Sequence, residues 1–206
     1  MIMAIPLSLR SVLKTPFLYL TYQSIVGGIR ARRICLQDYA QRTPGMVVID
    51  IGCGPGYTAK WLPGSRYFGF DVCGAYIDYA TRKYGHHAVF HCDLFSQQYV
   101  SMLPKADLVL MMGLLHHLTE EECVALLQLA KSAMKKGGKL LTLDGCYRDG
   151  QSRIARYFLN SDRGEYIRTP ESYVRIAHSV FGEVLPSVRE DLFFIPYTCM
   201  ILGCIA

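Results

Sequence analysis

The sequence predicts an α/β protein built on a doubly wound, mostly parallel sheet. Three observations carry the prediction: short, continuous, β-branched apolar runs; helical stretches between them; and an acidic residue closing several of those runs. With 206 residues, 51% hydrophobic and 19% charged, the chain suits one buried core, and disorder, collagen and coiled coil are excluded.

The elements follow in order. Helical spacing predicts helices over residues 9–22 and 28–41, the second stopped by Thr43-Pro44-Gly45. The run MVVIDI (46–51) reads as a strand buried on both faces, followed by the loop Gly52 to Gly56 and a helix over 57–61. Residues 66–70 form a second strand closed by Asp71, then a helix over 75–84, and residues 88–92 a third strand ahead of Asp93. The run ADLVLMM (106–112) is a fourth strand. Thr119 with Glu120, Glu121 and Glu122 opens a helix to about residue 135, capped by Gly137-Gly138 before a fifth strand at 139–143. A polar, Arg-rich stretch follows, then a helix near 170–181 and two strands, 183–189 and 197–204, whose short connection makes them an antiparallel pair at one edge. Residues 1–45 read as a helical cap or lid. Residues 46–206 read as the sheet domain, with a substrate-lid insertion at about 147–169.

Charge and cysteine usage narrow the class. The net charge of +5 resides in residues 1–37, where Arg10, Lys14, Arg30, Arg32 and Arg33 meet no acid before Asp38. Those cations are too dilute for a nucleic-acid module. No apolar run reaches the roughly eighteen residues a membrane span needs, so stable insertion is not expected; an acid-free, Arg-bearing start also weakly resembles a transit peptide. Eight scattered cysteines without a CxxC pair read as buried thiols in a reducing cytoplasm, with no structural metal.

Ligands of such sheets bind beyond the carboxyl ends of the strands. The first such loop, Asp50-Ile-Gly52-Cys53-Gly54-Pro-Gly56, lets backbone approach a ligand closely. It departs from the dinucleotide pattern GxGxxG, because Tyr57 stands where the third glycine belongs. Asp71, about twenty residues on, can accept hydrogen bonds from a ribose, and Asp93 is placed to meet a purine amine. Each acid alone also reads as a turn or helix cap; three at successive strand ends are hard to explain by capping alone.

These residues resemble the class I S-adenosylmethionine-dependent methyltransferases over about residues 47–204. VVIDIGCGPG, YFGFDVCGAYIDYA, HCDLF and ADLVLMMGLLHHL look like the family's first four motifs, in order. The resemblance implies a seven-stranded sheet with an antiparallel last strand, a cofactor S-adenosylmethionine and a product S-adenosylhomocysteine. Asp50 and the loop Gly52, Cys53, Gly54 and Gly56 would pass under the methionine part. Asp71 with Val72 would hold the ribose, Asp93 with Leu94 the adenine, and Gly113 with Leu114 would line the methyl-transfer channel.

Because the sulfonium is an activated donor, such an enzyme mainly aligns reactants and excludes water, and needs no metal. The pair His116-His117 sits at the mouth of the fourth strand, where either could act as base or simply shape the pocket. Motifs of methyltransferases that act on exocyclic amines of DNA bases or on protein arginines are absent, which favours a small-molecule acceptor whose methylated atom (O, N or C) and chemical type, natural product, sugar or lipid-like quinone precursor, stay open.

In the lid stretch, Arg153, Arg156, Arg163 and Arg168 could pair with a substrate carboxylate or phosphate, or with Asp149, Asp162 and Glu165. Tyr147, Tyr157, Phe158 and Tyr166 could stack on an aromatic acceptor or pack. On the N-terminal helices, Tyr19, Tyr22 and Gln23 could close over the cofactor with Arg30 or Arg33 near its carboxylate, or lean on a membrane as a peripheral contact. A catalytically silent cofactor-binding subunit and a nucleotide-dependent oxidoreductase are the alternatives; oligomeric state is left open.

Overall fold

Alternation within the first strand explains the whole sandwich. In β1 (Val47–Ile51), Val47, Ile49 and Ile51 face one core, while Val48 faces the other, so all five residues are buried. The computed structural model describes residues 15–162 and 164–206; the predicted helix start at 9–14, Arg10, Lys14 and Arg163 lie outside them.

Seven strands form one sheet in the order β3-β2-β1-β4-β5-β7-β6. They are β1, β2 (Arg66–Phe70), β3 (Ala88–His91), β4 (Ala106–Met112), β5 (Met134–Gly145), β6 (Glu183–Arg189) and β7 (Cys199–Ile205). β1 pairs in parallel with β2 and β4, β2 with β3 and β4 with β5, whereas β7 runs antiparallel between β5 and β6. The reversal of order between β1 and β4 opens a crevice at their carboxyl ends, where ligands of this architecture bind.

The described helices are α1 (Pro16–Val26), α2 (Gly28–Tyr39), α3 (Gly74–Tyr84), α4 (Gln97–Met102), α5 (Glu120–Ala133), α6 (Arg153–Asn160) and α7 (Pro170–His178). Those on one face, α5 and α7, bury Cys123, Leu127, Tyr173 and Ile176 against Val47, Ile49 and Met111. On the other face α2 sinks Ala31, Cys35 and Leu36 beside Val48, Leu108 and Leu141. Thr119 and Glu122 close the expected α5 start as a reciprocal capping box, Thr119 N–H to Glu122 at 2.8 Å and Glu122 N–H to Thr119 at 3.3 Å.

Several elements differ from the sequence expectation. Residues 57–61 make only a 3₁₀ turn (Tyr57–Trp61). α5 ends at Ala133, and Gly137-Gly138 do not cap it: they lie in β5, where the pairing slips between Ala106 and Leu108 and a Cβ on Gly138 would crowd Ala106 O at 2.9 Å. The helices α4 and α6 were not anticipated; α6 is signalled by Ser152, whose side chain accepts from Ala155 N–H at 3.1 Å. All eight cysteines are free thiols; Cys92 is exposed rather than buried.

Candidate active site

Gly52, Gly54 and Gly56 all adopt positive φ (74°, 56° and 70°), which turns the chain from β1 into the following 3₁₀ turn. The tightest is Gly56, where a Cβ would lie 2.7 Å from both the Ala80 methyl and the Phe90 ring. Asp71, at the end of β2, accepts from Gly54 N–H and Cys73 N–H, each at 2.8 Å, so it clamps the loop across the sheet. Asp93 accepts from Leu94 N–H at 2.7 Å and from the Tyr99 hydroxyl at 2.9 Å. Between these strand ends lies a cavity of 260 Å³ lined by Gly52, Asp71, Val72, Asp93, Leu94 and Leu114 among others.

Asp50 sits below the loop, 1% exposed. Tyr67 donates its hydroxyl to Oδ2, and Oδ1 has no partner. Burial raises the Asp50 carboxyl to about 6 against the pull of the Tyr67 hydrogen bond and of Arg32. Arg32 is the residue the sequence reading missed. It donates to Met112 O at 2.7 Å, to the Tyr19 hydroxyl at 3.3 Å and to the Tyr57 hydroxyl. Burial disfavours its charge, yet Tyr19, Tyr57 and Asp50 raise its pKa instead. The signal was there: Gly28, Arg32, Cys35 and Leu36 share the inward stripe of α2. The expected Arg30 points elsewhere, to the carbonyls of Asp191 and Leu192, and Arg33 is exposed.

A second cavity of 170 Å³ opens on the other side of the β4 end, with Gly113 facing it while its neighbour Leu114 faces the first. Tyr22 and Gln23 of α1 line it, as do His116, His117, Asp144 and Asp162. His116 Nδ1 meets Asp144 Oδ1 at 2.8 Å, and Nε2 lies 3.5 Å from Asp162 Oδ1. Burial opposes a charge on His116, but the bonds to Asp144 and Asp162 outweigh it and hold the imidazole up at about 9. Burial likewise opposes ionisation of Asp162, and the same imidazole, Gly164 N–H at 3.0 Å and the Tyr197 hydroxyl at 2.9 Å depress its pKa well below the usual range. Gly164 lies flat on the imidazole, where a Cβ would collide with the ring. His116 and His117 stand with ring centroids 4.2 Å apart.

The lid residues expected to touch substrate do not line either cavity. Tyr147 donates to Asn160 at 2.8 Å, the Arg156 guanidinium lies 5.7 Å from the Tyr147 ring, and Tyr157 is 46% exposed against Phe158. Arg168 donates to the carbonyls of Leu115 and Tyr166 at 2.9 Å and of Leu118 at 2.5 Å, none of them carboxylates. These carbonyls belong to Leu115, to Leu118 just after the 3₁₀ turn and to Tyr166, so Arg168 ties the 147–169 segment to the connection between β4 and α5.

Residues 48–138 match the family model described as a methyltransferase domain. The matched segment holds the glycine loop and the carboxyl ends of β1 to β4. Its likeness extends to bovine acetylserotonin O-methyltransferase, 31% identical over 110 residues, which cover 50% of this chain and 31% of that protein. The chain thus spans about a third of that relative's length. Among solved structures, human N-acetylserotonin methyltransferase in complex with SAM superposes with a TM-score of 0.63 at 20% identity, over 90% of this chain and 53% of that one. A plantazolicin methyltransferase superposes at 0.66 and 12% identity, over 91% and 89%. Both superpositions are likenesses of fold; among the described residues no helix is long and apolar enough to cross a membrane.

Proposed function

We propose that the protein is an S-adenosylmethionine-dependent methyltransferase acting on a small-molecule acceptor. One observation carries the reading: the buried Asp50 leaves Oδ1 without a partner directly beneath a glycine loop. A buried carboxylate oxygen demands a donor, and an ammonium is the strongest one available. The methionine ammonium of the cofactor meets that demand, and a Cβ on Gly54 would touch nothing within 4 Å.

The other groups fit the rest of the molecule. Asp71 has lone pairs free for ribose hydroxyls beyond those it gives to Gly54 and Cys73. Asp93, Leu94 and Leu114 line the cavity suited to adenine, with Val72 beside them. Arg32, held between Tyr57 and Met112 O, supplies the cation nearest the loop and suits the carboxylate. When bound, S-adenosylmethionine supplies an activated methyl group and leaves as S-adenosylhomocysteine.

The chain's own residues then position and deprotonate the acceptor. Gly113, without a side chain, keeps open the passage between the two cavities. A hydroxyl acceptor must shed its proton as its oxygen is methylated, and the Asp144, His116 and Asp162 series takes it. His116, already bonded to Asp144, orients this series; it accepts the acceptor's proton itself only after its own Nε2 proton has passed to Asp162. His117 supports the ring of His116 at the cavity wall.

Calorimetric titration with S-adenosylmethionine, S-adenosylhomocysteine and NADH tests the reading. Micromolar binding of the two adenosyl ligands, with none of NADH, is expected. Tight NADH binding, or no adenosyl binding, would overturn it.

A further inference from the structure

We infer that the second cavity selects a methyl acceptor that is neutral or cationic and donates a hydrogen bond, and rejects one carrying a carboxylate or phosphate beside the reacting group. The inference rests on the methyltransferase reading and narrows its acceptor.

Asp144 is the first ground. It is 3% exposed, it lines the cavity, and its Oδ2 has no partner, although Oδ1 takes both the ring N–H and, at 3.3 Å, the backbone N–H of His116. An ionised carboxylate oxygen only accepts, so whatever completes it must present O–H or N–H. Leaving such an atom unmatched costs far more than an average hydrogen bond contributes.

The balance of charge is the second ground. Two carboxylates, Asp144 and Asp162, face the cavity and are bridged by the imidazole of His116, with His117 beside it. The remaining cation in the wall, Arg32, is bonded to Met112 O and two tyrosine hydroxyls and, in the complex proposed above, is neutralised by the cofactor carboxylate. Arg156 and Arg168, which might have paired with an acidic substrate, turn to Tyr147 and to backbone carbonyls. A substrate anion would therefore sit against unneutralised carboxylate in a site of reduced dielectric, where like-charge repulsion is strong.

The wall also shapes the ligand. Tyr19, Phe193 and Tyr197 present aromatic surface, the last two with centroids 4.7 Å apart. A hydroxyl- or amino-bearing ring fits such a wall, its polar edge toward Asp144 and Asp162.

Matched pairs of probes decide the matter. The whole protein, saturated with S-adenosylhomocysteine, is titrated at pH 7 with catechol against 3,4-dihydroxybenzoate, dopamine against 3,4-dihydroxyphenylacetate, and methyl glucoside against glucuronate. The neutral or cationic member of at least one pair should bind about tenfold tighter than its acidic twin. Asp162→Asn, on the lid and outside the sheet, should shrink that ratio at least about threefold by removing one like charge, with unchanged affinity for S-adenosylhomocysteine. Asp144→Asn gives a second test of the same ratio, its folding checked by thermal melting. Equal or tighter binding of the acidic twins, a ratio untouched in both variants, or binding of no probe to the liganded protein overturns the inference. Failure of S-adenosylhomocysteine itself to bind is a different result: it removes the methyltransferase reading and this inference with it.

Discussion

The two cavities that meet at the β4 end are built by different means. The first is a backbone construction: three glycines at positive φ and a carboxylate clamp from the neighbouring strand, tied from Gly54 to Asp71 across 17 residues of sequence. The second is a side-chain construction, assembled from α1, α2, the β4 and β5 ends, the lid and the segment before β7, with His116 to Asp144 and Asp162 to Tyr197 as its ties. Backbone geometry is shared by any chain with the right glycines, so the first cavity is generic. Side chains gathered from distant segments vary freely, so the lining of the second cavity is the part that can differ between chains of this fold.

Substitutions that break one construction and spare the other sharpen the contrast. Gly56→Val should have the largest effect, because it forces a β-branched residue to positive φ against Ala80 and Phe90. A loss of about 2–4 kcal/mol is expected in urea unfolding; wild-type stability would refute the crowding at this loop. Arg32→Ala, which cuts the link between α2, Tyr57 and Met112 O, should cost about 2 kcal/mol, less than a fully buried ion pair because the side chain is partly accessible. Calorimetry should also show weaker adenosyl binding in that variant; intact affinity would detach Arg32 from the cofactor.

Asp71→Ala attacks the backbone cavity alone. It should weaken cofactor binding by about 1–3 kcal/mol through lost ribose and loop hydrogen bonds, and unchanged affinity would displace the cofactor from this cavity. The side-chain cavity has a pH signature instead. His116 is held at about 9 in the folded protein against 6.5 unfolded, so its contribution is complete below pH 6.5 and disappears as pH rises through 9. Unfolding free energy should therefore fall over that window by about 1–3 kcal/mol more than in His116→Asn, and parallel profiles for the two proteins would show that the imidazole is not bridged in solution. Arg175→Ala serves as the baseline: the exposed Arg175 and Glu120 pair, bidentate at 2.5 and 2.8 Å, lies outside both cavities, and its loss should leave the melting temperature within experimental scatter.

The residues proposed to hold the cofactor were legible as a group because their spacing is local. Asp50, Gly52, Gly54 and Gly56 come from one loop, and Asp71 and Asp93 each end a strand whose apolar run advertises it. The lid arginines misled for a physical reason. Arg156 and Arg168 look like free anion receptors in a polar stretch, but Arg156, on the helix Arg153–Asn160, lies against the Tyr147 ring, and Arg168 is taken up by the carbonyls of Leu115, Leu118 and Tyr166. Asp162 was legible only as an ion-pair partner, since nothing near it in sequence announces an imidazole 46 positions upstream.

Hydrophobic periodicity and strand-end acids were enough to specify the layer architecture, the strand directions and the cofactor loop, because those depend on interactions with period two or 3.6 and on backbone conformations that a glycine permits. The placing of β7 between β5 and β6, the seating of Arg32 rather than Arg30 against the β4 end and the enclosure of His116 between Asp144 and Asp162 came from packing. Each depends on which distant side chain fills a given space and which polar group it must satisfy there, and that is a property of the folded assembly and not of any stretch of chain.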